Sequence, residues 1–185
     1  MAFLSPFWQT DYHALIPAPL QPLSHWLKTP ILSDALRKID PNLRLKLIAQ
    51  AINSPHPDEA QKLELDLAVL PLALPLIRQV CIGSADYTYL YCRVVIPTPL
   101  YQQEQETFDG LGDRFIGETL LYHQPNVRRS LFEYAVLKPE QTLYQEALQH
   151  AIAPPSQFYA RRSLFYLPIL PLLITEVFIH AFMPS

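Results

Sequence analysis

Nineteen prolines against four glycines in 185 residues limit what this chain can build. Proline fixes φ and removes a backbone donor, so it ends helices and is excluded from the middle of a sheet. The prolines at 17, 19 and 22, at 55 and 57, and at 71 and 75 mark connectors or element starts and argue against long helices. What lies between them must be short.

Residues 1–19 show no clear period and read as an irregular arm. Leu20, Leu23 and Leu27 have helical spacing, so a short helix begins over Gln21 to Trp26, with Pro22 tolerated in its first turn. Ser33 to Ile39 reads as a second short helix with Ser33 as its N-cap. Leu43 to Leu47 alternates strictly, as a half-buried strand does, and Asn53 to Glu59 is a proline-punctuated loop. Leu74–Ile82 and Tyr87–Ile96, joined by Gly83-Ser84-Ala85-Asp86, read as a long hairpin. Tyr101 to Phe108 is a polar helix or loop, Gly110 to Asp113 a turn, and Ile116–Tyr122 a short helix. Ser130 to Leu137 is a further strand. Pro139 to Ile152 is helical until Pro154-Pro155 stops it, and Leu164–Leu167 with Leu172–Ile179 form a final strand pair. Hairpin-linked strands with short helices between them predict an α+β fold with a largely antiparallel sheet, one domain over residues 1–185.

Composition narrows the function. A net charge of −3 disfavours a nucleic-acid partner, which a basic face would serve. The basic doublets Arg128-Arg129 and Arg161-Arg162 read as solvated strand ends or loops. Cys81 and Cys92 read as reduced, buried small hydrophobes. No basic-then-apolar leader opens the sequence, so a cytoplasmic protein is expected. The run from Leu164 to Met183 is long enough to span a bilayer, but Pro168, Pro171, Glu176 and His180 interrupt it, and its β-branched composition favours a buried strand. No heptad pattern suggests a coiled coil, and a monomer is expected.

Metal, nucleotide and nucleophile-elbow signatures are missing, and the six histidines lack ligand spacing. What stands out is ionisable residues inside apolar runs. Glu176 is the lone acid of the closing strand, and a buried carboxylate needs a cation, a hydrogen-bond partner or a raised pKa. Arg78 and Arg93 sit in the two arms of the hairpin. One reading pairs Arg78 or Arg93 with Glu176 as a structural ion pair, or sends each to a sheet edge. The other places a cation and a carboxylate in a closed apolar pocket suited to a small carboxylated ring.

Arg161-Arg162-Ser163, followed by Pro171-Leu172-Leu173-Ile174-Thr175-Glu176-Val177-Phe178, resembles the C-terminal signature of the chorismate pyruvate-lyases. Leu76 to Val80 is similar to that family's arginine strand, and Arg93 to Pro97 to its R-x-V-(V/I)-P element. Leu111 to Gly117 is similar to its LGxxPLG turn. Trp26 to Ser33 resembles a W-L…S-(L/M)-T segment. The resemblance implies a sheet with helical flaps over a buried pocket. It implies elimination of pyruvate from chorismate to give 4-hydroxybenzoate for quinone biosynthesis (ubiquinone or plastoquinone), without metal or cofactor. Arg78 would hold the ring carboxylate, and Glu176 would meet the ring C4 oxygen and serve the proton transfer. The backbone N–H groups of Leu32 and Ile116 would donate from the two flaps. Related ligand-sensing domains of bacterial transcription regulators share the fold, so a non-catalytic domain binding a small aromatic carboxylate is the alternative. The sequence departs from the family where Pro168-Ile169-Leu170-Pro171 replaces a glycine-containing turn, implying a wider one, and where residues 138–158 run longer.

Overall fold

A computed structural model describes residues 5–15, 21–66, 68, 70–122, 124–153 and 155–179. The early arm is partly anchored: Gln9 bridges Tyr134 in antiparallel fashion. Residues 1–4 and 16–20, Pro154 and the chain beyond Ile179 lie outside the described residues.

The sheet holds seven strands: β1 (Arg44–Ile52), β2 (Leu76–Gly83), β3 (Thr88–Ile96), β4 (Arg128–Arg129), β5 (Glu133–Leu137), β6 (Phe158–Tyr166) and β7 (Pro171–Phe178). Their order is β1-β2-β3-β7-β6-β4, with β5 also on β6, and every pairing is antiparallel. The helices are α1 (Gln21–Lys28), α2 (Leu32–Ile39), α3 (Pro57–Lys62), α4 (Thr98–Gln103), α5 (Gln105–Asp109) and α6 (Thr142–Leu148). A π-helical turn covers Gly117–Leu121. None of these helices is long and apolar enough to cross a membrane.

Both faces of the sheet are covered, which is why β2, β3 and β7 read as continuous apolar runs rather than alternations. On one face, Leu23, Leu27, Leu32 and Leu36 of α1 and α2 pack on Leu45, Val80, Ile82, Leu90 and Cys92. At the other end of that face, Leu100, Phe108, Leu111 and Leu121 pack on Val94, Phe165, Leu172 and Ile174. These two groups form two flaps. On the opposite face α6 packs through Leu143, Tyr144 and Ala147 on Cys81, Tyr91, Phe158 and Val177.

Several expectations are corrected. Ser33 lies inside the first turn of α2, whose N-cap is Ile31. Pro57, Asp58 and Glu59 open α3 instead of ending a loop: Pro57 needs no donor at the first helical position, and Glu59 Oε2 accepts the His56 N–H at 2.8 Å. The expected strand from Ser130 to Leu137 is broken into β4 and β5. Arg129 pairs with Phe165 and Glu133 with Arg162, so four steps on one chain face three on the other. The extra residue is a bulge, with Leu131 thrown into solvent. β6 begins at Phe158, well before Leu164, so Arg161-Arg162 are interior strand residues, not a solvated end. Cys81 and Cys92 are both free and buried. Val80 faces Cys92 and Cys81 faces Tyr91, so the two thiols point to opposite faces of the sheet.

The back face carries its own buried ions. Arg93 Nε donates to Glu59 at 2.8 Å, and Arg162 Nε and Nη1 reach Glu133 at 2.7 Å and Asp58 at 3.0 Å. Lys62 adds a bond to Glu133 at 2.6 Å, and His56 and Tyr91 each reach Glu146 at 3.0 Å. These contacts tie α3, α6 and β5 to the sheet. Burial alone would push Glu133 up, but the hydrogen bonds from Lys62 and Arg162 outweigh it and hold it below the usual carboxylate range. Burial likewise opposes Glu146, whose bond from His56 and the Arg93 charge win. A carboxylate depressed in the folded state stabilises above its unfolded pKa, about 4.5, and loses that contribution as pH falls through the folded value. The thermal midpoint should therefore drop as pH is lowered below that point, and a Glu133→Gln/Glu146→Gln variant should show a shallower drop. An unchanged slope in the variant would contradict the network's role in acid stability.

Candidate active site

Between the two flaps lies a small, mostly apolar cavity of about 50 Å³, with space for a handful of water-sized groups. A single aromatic ring takes a cavity of roughly 150 Å³, so the flaps must part further to admit one. Its floor is one face of the sheet, built by Leu45, Val80, Cys92 and Ile174 around Arg78 and Glu176. Its roof comes from the flaps, through Leu32 and Ser33 on one side and Phe115, Ile116, Gly117 and Tyr122 on the other. The flaps meet at Arg37, which reaches Glu118 at 2.5 Å and stacks over the Phe115 ring.

The register explains why these side chains share a face. Gln50, Arg78, Val94, Ile174 and Ser163 form one row across β1, β2, β3, β7 and β6. Val80, Cys92, Glu176 and Arg161 form the next row on the same face. Arg78 and Glu176 are therefore not on paired strands: β3 runs between them. Strand spacing and rise put their Cα atoms about 12 Å apart.

Arg78 is 1% exposed and held by three bonds. Nη1 donates to Gln50 Oε1 at 2.7 Å, and Nη2 donates to the carbonyls of Gly112 at 2.6 Å and Arg114 at 3.2 Å. Gly112 has a φ of 50°, a left-handed conformation that glycine adopts without strain and that presents its carbonyl to the arginine. A bulge in β1 between Leu47 and Ala49 sets both contacts. It shifts the alternation by one, so Gln50 rather than Ala49 stands on the site face. The Leu47 N–H donates to Asp113 Oδ1 at 2.9 Å, fixing the 110–116 loop over the cavity. Burial pushes the Arg78 guanidinium below its ordinary value, and the Asp113 carboxylate opposes this. Among the described residues, Nε–H and one Nη1–H of Arg78 have no acceptor.

Glu176 is paired, but with neither Arg78 nor Arg93. Arg161 Nε donates to its Oε2 at 2.5 Å, and Arg129 Nη2 lies 3.7 Å from the same oxygen. Both contacts fall on Oε2, which leaves Oε1 uncommitted among the described residues. Arg161 is completely buried, and its Nη1 also donates to the carbonyls of Trp26, Leu27 and Thr29 at 3.3, 2.9 and 2.6 Å. A cation is favoured at this C-terminal end of α1. Arg129 donates from Nη1 to the Pro30 carbonyl and from Nε to Ser163 Oγ, the latter at 2.8 Å. Two arginines thus hold both Glu176 and the chain that leads into Leu32. Burial raises the Cys92 thiol well above its ordinary value, so it lines the cavity as a neutral group. No group of three His, Cys, Asp or Glu side chains able to hold a metal occurs among the described residues.

Of the residues singled out in the sequence, Arg78, Glu176, Leu32 and Ile116 meet at this cavity, and Arg93 lies on the opposite face with Glu59. Sequence reasoning missed Gln50, Asp113, Tyr122, Arg129 and Arg161. Arg161 had a signal: it stands in the Arg161-Arg162-Ser163 element directly before the apolar run that opens at Leu164.

An antiparallel sheet with short helices and a small polar-ended cavity under two flaps defines an α+β domain with a candidate small-ligand site. Its sequence places it further: the pattern described as Chorismate lyase matches residues 6–183, and the chain belongs to the chorismate lyase family, a family of lyases. The "Probable chorismate pyruvate-lyase" of Aromatoleum aromaticum is 32% identical over 168 residues, covering 89% of this chain and 86% of the relative. That of Coxiella burnetii is 29% identical over 155 residues, covering 83% and 80%. Among solved structures, PhnF from Mycobacterium smegmatis superposes with a TM-score of 0.52 at 13% identity, over 100% of this chain and 91% of that one, a likeness of fold alone.

Removing one member of a buried ion pair strands the other charge. Arg161→Met should lower the unfolding free energy by about 3–5 kcal/mol. Arg37→Met, at the exposed contact between the flaps, should cost less than about 1 kcal/mol. Denaturant titration of both variants checks this, and equal losses would contradict the assignment of Arg161 as the buried anchor.

Proposed function

We propose that this protein eliminates pyruvate from chorismate and leaves 4-hydroxybenzoate, the aromatic precursor used in quinone biosynthesis (ubiquinone or plastoquinone). The observation that carries the reading is one small, mostly apolar cavity under two flaps, with the Arg78 guanidinium and the Glu176 carboxylate in its wall. Family membership supports it, and so do relatives whose names give the same activity.

In this reading Arg78 takes the ring carboxylate through its two uncommitted donors, a charge-assisted contact. Gln50, Gly112 and Arg114 hold the guanidinium in place before substrate arrives. Glu176 meets the ring C4 oxygen with Oε1 and serves the proton transfer that accompanies aromatisation. Leu32 is the first residue of α2 and Ile116 directly precedes the π-helical turn. Backbone N–H groups at such positions have no acceptor within their own helix, so each is free to donate to the ligand. Forming an aromatic ring drives the elimination. The protein's task is to position the substrate and keep water out, which the two flaps do.

A second reading, binding without turnover, draws on the likeness to the effector domain of PhnF from Mycobacterium smegmatis, with a TM-score of 0.50. Incubation of purified protein with chorismate, followed for both pyruvate and 4-hydroxybenzoate, separates the two. The lyase reading expects both products in equal amounts. Tight binding of 4-hydroxybenzoate with no turnover would favour the second reading, and neither would remove both.

The roles of the two ends also separate kinetically. Arg78→Ala should raise KM about 10- to 100-fold, the worth of a charged hydrogen bond. Glu176→Gln should lower kcat about 100-fold or more while keeping the shape of the side chain. Wild-type kinetics in either variant would refute the role given to that residue.

A further inference from the structure

Tyr122 is a polar cavity side chain to which the roles above assign nothing. It stands in the roof of the cavity that Glu176 helps to floor. Its backbone N–H donates to the Gly117 carbonyl at 2.6 Å, closing the π-helical turn Gly117–Leu121. A π-turn holds an extra residue compared with an α-turn, so it re-aims whatever follows it. Gly117 makes room for the result. A Cβ at that position would lie 2.2 Å from Tyr122 Cε2 and 2.6 Å from Cζ, so no larger residue fits beside the ring as it stands. The ring is backed by Phe165, with centroids 6.1 Å apart. Burial, and then the Glu176 charge, push the phenol up to about 12, against the opposing pull of Arg129 and Arg161. At neutral pH the hydroxyl therefore keeps its proton and is a hydrogen-bond donor.

The chemistry of the substrate says what such a donor would meet. In chorismate the enolpyruvyl ether, whose CH2 becomes the methyl of pyruvate, sits on C3, next to the C4 whose oxygen is assigned to Glu176. A donor that lines the same small cavity as Glu176 therefore shares that space with the bond that breaks.

We propose that Tyr122 is a further catalytic residue of this lyase, its phenolic O–H donating to the ether oxygen that departs with pyruvate, and that Gly117 with its π-turn is what brings the ring there. The proposal rests on the lyase reading. In the elimination the C4–H and C3–O bonds break. The C–H electron pair completes the aromatic ring, the C–O pair stays on the ether oxygen, and the ring proton ends on the methyl carbon of pyruvate. Tyr122 keeps its own proton and stabilises the charge that builds on the leaving oxygen, as an oxyanion-hole donor does.

The test is Tyr122→Phe in the full chain, with pyruvate release from chorismate measured beside the affinity for 4-hydroxybenzoate. Loss of one such donor should lower kcat about 100-fold. The affinity for 4-hydroxybenzoate should stay at the wild-type value, because the product has already lost the departing group. That unchanged affinity also shows that the cavity is folded. Gly117→Ala should reproduce the kcat loss in the wild-type background and add little to Tyr122→Ala. Wild-type turnover in Tyr122→Phe would overturn the inference alone. So would a loss of product affinity equal to the loss in kcat, because the hydroxyl would then be a packing element. A wild-type protein that releases no pyruvate would overturn the lyase reading first, and this one with it.

Discussion

The buried contact between Arg161 and Glu176 is the interaction on which the rest of this structure depends. A pair of charges taken out of water gains little by itself, because desolvation offsets the attraction. What matters is how much else the arginine holds. One guanidinium reaches from β6 to the carboxylate of β7 and to three carbonyls at the end of α1, with its plane over the Phe132 ring at 4.1 Å. Strand, acid and first flap are fixed to one another by a single side chain. Arg129 repeats the arrangement from the sheet edge, reaching the Pro30 carbonyl and the same carboxylate oxygen. The acid facing the cavity and the flap covering it therefore cannot move independently.

The second flap is fixed by different means. Arg78 draws the 110–116 loop down through two carbonyls, and Asp113 meets the N–H of Leu47 beside the bulge of β1. Each flap is thus anchored by a charged residue of the site that it encloses. In the proposed reading ligand affinity and flap order are linked quantities, since an anion at Arg78 bears on the group that positions the loop. The other ionic cluster, around Arg93 and Arg162, lies on the far side of the sheet and fastens α3 and α6. Successive residues of a strand alternate faces, which is how the neighbours Arg161 and Arg162 serve two separate networks.

Much of this was legible in the sequence, and the exceptions have physical causes. Glu176 and Arg78 stood out because a charge inside an apolar run must be explained. The hairpin and the closing strand were readable from β-branched composition. Arg161-Arg162 looked like a solvated end because the polar neighbours of a doublet weigh more in a local reading than a strand that starts at Phe158. The bulge of β1 left no mark, since Leu43 to Leu47 alternates cleanly and the break follows it, so Gln50 could not be placed. α3 was hidden by Pro55 and Pro57, which read as loop residues, although proline at a first helical position is favourable. The π-turn was invisible for a related reason: Ile116–Tyr122 has ordinary helical residues, and only the packing of Tyr122 into the space left by Gly117 distinguishes its geometry.

Fold alone does not assign chemistry, and PhnF from Mycobacterium smegmatis shares this architecture at 13% identity. The account stands on the two ends of one cavity. The measurement that addresses it most directly is a structure of the protein with 4-hydroxybenzoate bound. The account predicts the ligand carboxylate on Arg78, its hydroxyl at Glu176, and both flaps closed over the ring. A ligand bound outside this cavity, or turned with its carboxylate toward Glu176, would contradict it.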